Sequence, residues 1–199
     1  MVTTLSGSST RAKVDERLAY YVGSWRRSPF DPNTMPQSLN VDEKSGILKL
    51  GNFDAEYNNL FRFHFGGDNR FILELVNPSP ALAVKRTVNA SLFVTPALSL
   101  SSDKATAAMW ELSAHAPFRN GPLDVSFQAR LAETGQVLTS NEKTGKVGLL
   151  DDSQADKIRD KHGNHSVNIA WEATPDCEEA IPGGDKEMIP QWLQEMMLA

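Results

Sequence analysis

The sequence predicts an all-β fold: an antiparallel β-sandwich or jelly-roll-like domain with one short internal helix and a C-terminal amphipathic helix. Two aromatic and aliphatic runs, residues 60–65 and 71–76, flank a Gly-Gly-Asp-Asn turn of the kind that closes β-hairpins. Residues 123–131 alternate apolar and polar side chains, and this period of two places the apolar residues on one side of a strand. Short segments of this type follow one another without alternating helices, which favours an antiparallel sheet over a parallel one.

The length and composition fit one globular domain. Of the 199 residues, 40% are hydrophobic and 23% are charged, which is close to the globular average and excludes a wholly disordered chain. We therefore divide the chain into a flexible N-terminal segment (1–13), a β-sandwich domain (14–173), and an acidic linker with the C-terminal helix (174–199).

The sequence shows no pattern typical of secretion or of a membrane span. Its apolar runs are too short for a membrane-spanning helix, and its first residues lack the apolar stretch of a signal peptide. Cys177 is the single cysteine and cannot form an internal disulfide. These observations predict a cytoplasmic protein without membrane contact.

The part of the chain before the central hairpin contains two further segments with strand character. Residues 11–21 fit a short helix, whereas 18–25 fit a strand, and the sequence leaves both open. Three prolines predict an extended loop over 28–36. Beyond that loop, residues 39–41 and 47–50 predict a hairpin around an Asp-Glu-Lys-Ser-Gly turn.

The alternation within the central hairpin separates two faces. Phe61, Phe63 and Phe65 share one face of the first strand, which we expect to be buried. Arg62 and His64 share the opposite face, which we expect to be half exposed.

The chain after the central hairpin predicts further short strands and one helix. Residues 84–94 alternate and predict a half-buried strand. Residues 151–161 predict the internal helix, because they are acidic at the start and basic towards the end, as the helix dipole favours. Further strands are predicted at 108–112, 123–131, 137–139, 147–150 and 167–171.

Charge is distributed unevenly along the chain, although the net charge is only -5. Residues 1–30 carry five basic and two acidic side chains, and residues 172–199 carry seven acidic and one basic. The two ends either meet within one molecule, meet between two copies, or stay solvated. We assign Arg26 and Arg27 to such an interaction, and we do not expect nucleic acid as a direct ligand.

The C-terminal segment predicts a helix with one apolar stripe, and Pro190 suits its first turn. Tryptophan and methionine are common anchors of protein interfaces. The stripe therefore packs either on its own domain or on a partner. Its members are Ile189, Trp192, Leu193, Met196 and Met197.

His162 and His165 are the one close pair of residues that commonly bind metal ions. Two imidazoles on one turn can share a zinc or copper ion, with Asp151, Asp152 or Asp160 as oxygen donors. No third ligand lies at a recognisable spacing, so polar loop histidines without a metal are the competing interpretation.

A second polar group is predicted in the central hairpin. Arg62 and His64 on one strand lie across from Glu74 on the other, so cross-strand pairing can bring them together. A carboxylate beside an imidazole can serve acid-base chemistry, and the competing interpretation is the solvent face of a sheet. The sequence contains neither a serine-hydrolase elbow nor a phosphate-binding glycine loop, so we predict no catalytic residue and no cofactor.

From these features we predict a non-enzymatic binding or assembly module, of the kind that builds a shell or a viral coat by self-association through the termini. A protein partner is the second expectation. The alternative function is a small-ligand or metal-dependent site at the loop end of the sandwich, with hydrolase or glycan-binding activity as variants.

Overall fold

The computed structural model describes residues 14–24, 37–52, 55–68, 70–85, 91–114, 125–141, 144–151, 153–154 and 167–176. It confirms the all-β class, because these residues form twelve strands that pair only in the antiparallel sense. Within the same ranges, no helix is long and apolar enough to cross a membrane.

The elements follow the chain in short segments. The strands are β1 (Ala19–Ser24), β2 (Gln37–Val41), β3 (Leu48–Asn52), β4 (Leu60–Gly67), β5 (Arg70–Leu75), β6 (Leu92–Val94), β7 (Leu100–Ser101), β8 (Trp110–Ala114), β9 (Val125–Leu131), β10 (Val137–Asn141), β11 (Lys146–Leu150) and β12 (Trp171–Pro175). A six-residue helix, α1 (Pro80–Lys85), and a 3₁₀ turn (Lys104–Thr106) lie between strands.

The strand pairings close on themselves in two rings. One ring runs β1-β4-β5-β8-β9-β12, and the other runs β1-β2-β3-β11-β10-β9-β12. The two rings have β1, β9 and β12 in common. At β1, the same edge pairs with β4 near Ala19 and with β2 at Gly23. At β9, the edge that pairs with β12 also pairs with β10, at Arg130, beyond the end of β12. All twelve strands thus belong to one sheet. The two-layer sandwich or jelly-roll arrangement stays a prediction.

One large cluster of buried apolar side chains draws on strands of both rings. Phe63 lies near its centre, with edge-to-face contacts to Tyr20, Phe71 and Phe127 at ring-centroid distances of 5.5, 6.4 and 5.8 Å. Such aromatic pairs contribute about 0.5–1.5 kcal/mol each beyond the area they bury. The core thus joins β1, β4, β5 and β9 through one side chain.

The central hairpin, β4–β5, is confirmed, with one difference at its tip. Phe61 and Phe63 are buried, but Phe65 is 53% exposed. A β-bulge between Phe65 and Gly67 interrupts the ladder, and Gly67 adopts a positive φ of 89° to close the turn. Phe65 still pairs with Phe71 and keeps the face of Phe63, so the alternation holds up to the bulge and the exposed residue lies at the tip of the hairpin.

The second hairpin, β2–β3, is also confirmed and is closed by Asp42. Its carboxylate accepts hydrogen bonds from the ammonium of Lys49 at 2.9 Å and from the backbone N–H groups of Lys44 and Ser45. The Lys49 ammonium, followed by the backbone N–H and the hydroxyl of Ser45, holds the pKa of Asp42 well below its usual value. This turn is therefore fixed by side-chain contacts as well as by its ladder.

The predicted strand over 84–94 is wrong in its first part. Residues Pro80–Lys85 form α1 and Leu92–Val94 form strand β6, whereas residues 86–90 lie outside the described part of the chain. The backbone C=O of Ser79 accepts the N–H of Ala83 at 2.9 Å, proline suits the first helical position, and Leu82 is 1% exposed. These local helix signals and the burial of Leu82 outweigh the alternation further along the chain.

The structure decides between the two interpretations of the N-terminal part, because residues 19–24 form strand β1. Just before it, the backbone N–H of Asp15 donates to the Tyr20 hydroxyl at 2.9 Å. Burial raises the pKa of that hydroxyl to about 12. The predicted helix over 151–161 lies mostly outside the described residues, as do the segment 1–13 and nearly all of 174–199.

Candidate functional site

Most of the side chains that the sequence assigns to interaction or metal binding lie outside the described residues. They stay predictions, both for the interaction and for the metal. These residues are Arg26, Arg27, His162, His165, Ile189, Trp192, Leu193, Met196 and Met197.

The polar group in the central hairpin lies within the described residues, and its predicted geometry is confirmed. Arg62 of β4 pairs directly with Glu74 of β5, and His64 pairs with Ile72. Paired residues of an antiparallel ladder share one face of the sheet. Arg62, His64 and Glu74 therefore lie together on the face opposite the core, and we call them the polar cluster.

The contacts within the polar cluster converge on one oxygen. Nε2 of His64 lies 2.5 Å from Oε2 of Glu74, and an amino nitrogen of Arg62 lies 4.0 Å from the same oxygen. The side chain of Glu74 is only 12% exposed, against 29% for His64 and 32% for Arg62. The carboxylate is thus the shielded centre, and the two basic groups stand between it and solvent.

The surroundings of the polar cluster include residues that the sequence did not indicate. Ile72, Phe93 and Ala107 form a small apolar cluster on the same face. The His64 ring meets the Phe93 ring at 6.3 Å, and the Lys104 ammonium lies 6.0 Å from the centre of Phe93. Phe93 comes from β6, which pairs with β5 at Glu74. The polar cluster therefore lies beside an apolar surface on the same face of the sheet.

This arrangement orients one imidazole. A carboxylate only accepts hydrogen bonds, so the neutral His64 ring donates from Nε2 and keeps Nδ1 as an acceptor. An imidazole held in this way can accept a proton or serve as one ligand of a metal ion. Among the residues that the structure describes, no three His, Cys, Asp or Glu side chains lie close enough to hold a metal ion together.

We predict that Glu74→Gln will shift the tautomer balance of His64. A hydrogen bond to a neutral amide is weaker than one to a carboxylate by about 1 kcal/mol, which corresponds to about a fivefold change in the tautomer ratio. Nitrogen chemical shifts of the imidazole, measured by NMR at mildly alkaline pH, report this ratio directly. Glu111→Gln is the matched control, because Glu111 pairs with Arg70 on the same face. A wild-type ring protonated at Nδ1 would contradict the assignment.

A second candidate site lies where the described chain begins and ends. Strand β12 pairs with β1 along its whole length, from Pro175 opposite Tyr20 to Trp171 opposite Ser24. One residue further, the backbone N–H of Asp176 donates to the carbonyl of Ala19 at 2.8 Å. The segment before β1 and the segment after β12 therefore start from neighbouring points of the sheet.

Comparison with known proteins adds no relative, since neither a protein-family model nor a curated protein matches this chain.

Proposed function

We propose that this chain is a non-enzymatic binding and assembly module that self-associates through its terminal segments. The observation that carries the proposal is the β1–β12 pairing, which starts the two segments side by side. A shell- or coat-like role, including a viral one, and a cytoplasmic location belong to the same proposal.

The charges of the two segments support an interaction between them. The segment before β1, residues 1–18, carries three basic and two acidic side chains, and the segment after β12, residues 176–199, carries six acidic and one basic. Arg26 and Arg27 follow β1 in the sequence and do not belong to the segment that starts beside residue 176. Because the segment before β1 and the segment after β12 start at neighbouring points of the sheet, their opposite net charges attract one another within one copy. The same attraction acts between two copies that are related by a two-fold axis. In the second case each interface contains the contact twice, which is the usual geometry of homodimers.

Electrostatic attraction alone does not make a stable interface, because exposed ion pairs contribute only about 0–1 kcal/mol each. The apolar stripe predicted at 189–197 supplies the second component, since buried aromatic and aliphatic anchors contribute most of the binding energy of protein interfaces. Charge then determines orientation and encounter rate, and its contribution falls as salt screens it.

We predict that the full chain forms an oligomer and that a chain ending at Asp185 is a monomer. The truncation removes the apolar stripe and keeps most of the acidic residues. Light scattering at low and at high salt gives the solution mass of both forms, and we expect the oligomer of the full chain to weaken at high salt.

Two controls keep this test specific. Circular dichroism should show the same β signal before and after truncation, because all twelve strands precede residue 176. A full-length Trp192→Ala, Leu193→Ala variant removes two anchors without shortening the chain, so it should also dissociate. A full chain that is monomeric at every salt concentration, or an oligomer of unchanged mass after truncation, would exclude assembly through the termini.

A further inference from the structure

The register of the sheet places the polar cluster close to the point where the described chain ends. The backbone N–H of Asp176 donates to the carbonyl of Ala19 at 2.8 Å, and Ala19 pairs with Arg62 of β4. Neighbouring strands lie about 4.8 Å apart, so two spacings, roughly 10 Å, separate the backbones of Asp176 and Arg62. The segment after β12 therefore starts on the Arg62 side of the polar cluster.

The segment also starts on the face of the sheet that carries the polar cluster. Tyr20, the residue after Ala19, packs on Phe63 in the core, so Ala19 belongs to the opposite face. Directly paired residues share a face, which puts Arg62 on the same side as Ala19. Asp176 lies opposite Ala19, one position beyond the β1–β12 ladder, and shares that side.

This face carries a surplus of basic side chains, although the net charge of the whole chain is -5. On strands β4, β5, β8 and β9 it holds three arginines and one histidine against two glutamates. Arg62 stands between Glu74 and the end of the described chain, and its side chain is 32% exposed, against 12% for Glu74. The basic residues are Arg62, His64, Arg70 and Arg130, and the acidic ones are Glu74 and Glu111.

The segment that follows has the opposite charge. Residues 176–187 contain five acidic side chains and one basic. Glu178 and Glu179 follow Asp176 by two and three residues, and an extended chain carries them about 7–10 Å from it. That reach matches the distance from Asp176 to Arg62. The segment before β1, with three basic and two acidic side chains, balances only a small part of this negative charge.

We propose that the acidic segment 177–187 docks on the polar cluster of its own copy, with Glu178 and Glu179 beside Arg62. The Arg62 guanidinium has five N–H donors, so it can bind a further carboxylate while it keeps its 4.0 Å contact with Glu74. Docking within one copy is favoured over docking on a second copy, because such a short linker gives an effective concentration in the millimolar range. The docking does not require self-association, so a monomeric full chain would exclude the assembly model and leave this proposal intact.

Paramagnetic relaxation in the full chain tests the docking. A nitroxide attached at Glu187→Cys, in a Cys177→Ser background, should broaden the amide signals of Arg62 and Glu74. The amides of β11 are the internal control, since β3, β2 and β1 separate β11 from β4 in the sheet. At 1 M salt the Debye length is about 3 Å, so the broadening should fall. Equal broadening in β4 and β11, or broadening that salt does not change, overturns the proposal.

Charge reversal tests which residues make the contact. Glu178→Lys with Glu179→Lys should lower the ratio of docked to undocked segment by about fivefold or more, because two exposed ion pairs are lost. Glu43→Lys with Glu133→Lys makes the same change of charge on two exposed turns and should leave the broadening unchanged. Arg62→Glu, added to the variant of the segment, should restore it. The variant of the segment does not alter the sheet, so an equal effect of this variant and the control overturns the proposal even where Arg62→Glu fails to fold.

A mixed sample separates docking within one copy from docking between copies. An isotope-labelled chain without nitroxide is mixed with an unlabelled chain that carries it, and the labelled chain should show no broadening at Arg62 or Glu74. Broadening in the labelled chain would mean that the segment docks on a second copy, and it would overturn docking within one copy.

Discussion

Phe63→Ala is expected to lower the free energy of unfolding by about 3–5 kcal/mol, as full truncations of buried aromatic rings do. Phe63 is 1% exposed and contacts aromatic rings from three other strands. The substitution leaves a cavity at the point where β1, β5 and β9 meet β4, and the closed strand pairings limit how far the sheet can collapse into it. Equilibrium unfolding in urea measures the change.

The same strand provides the control. Phe65 lies two residues further along β4, with 53% exposure and one ring contact, to Phe71 at 5.8 Å. Because little apolar area is lost, Phe65→Ala should lower the free energy of unfolding by no more than about 1 kcal/mol. Equal effects of the two substitutions would show that Phe65, like Phe63, belongs to the core.

The contrast between Phe63 and Phe65 illustrates what the sequence can predict. Alternation correctly placed Phe61 and Phe63 in the core, because the period of a strand follows from its geometry. It could not predict the bulge after Phe65, because a bulge depends on how the hairpin tip pairs in three dimensions. The hairpins themselves were predictable, since turn residues and neighbouring runs are local signals.

Long-range pairing was beyond sequence reasoning. Nothing local indicates that β1 divides its edge between β2 and β4, or that it pairs with β12 near the other end of the described chain. The helix α1 was missed for a different reason: the alternation over 84–94 was given more weight than Pro80 behind Ser79, which favours a helix start.

The polar cluster was half predictable. Arg62, His64 and Glu74 belong to one hairpin, so their proximity follows from a two-strand register that the turn fixes. Phe93 and Lys104 come from segments that reach the cluster only through the pairing of β6 with β5. The sequence did contain a signal for the position of Phe93. Its neighbours Leu92 and Val94 lie on the core side of β6, so alternation places Phe93 on the opposite face, where the polar cluster lies.

Trp171→Phe is expected to lower the free energy of unfolding by about 2–4 kcal/mol, from lost ring volume and a lost hydrogen bond. Trp171 is 0% exposed, and its indole N–H donates to the carbonyl of Leu138 at 3.1 Å, which links β12 to β10. Removing the donor leaves that carbonyl without the indole partner in a buried place. Urea unfolding monitored by circular dichroism measures the effect without relying on tryptophan fluorescence.

Trp110→Phe is the matched substitution, and the comparison separates volume from hydrogen bonding. Trp110 is also 0% exposed, but its indole nitrogen is buried with no hydrogen-bond partner among the residues that the structure describes. Phenylalanine removes that unsatisfied group, which stabilises the folded state by about 1–3 kcal/mol and offsets part of the stability lost through the smaller ring. Trp110→Phe should therefore be less destabilising than Trp171→Phe by at least about 1 kcal/mol. The opposite order would mean that packing around the two rings, and not the fate of the indole N–H, determines their contribution to stability.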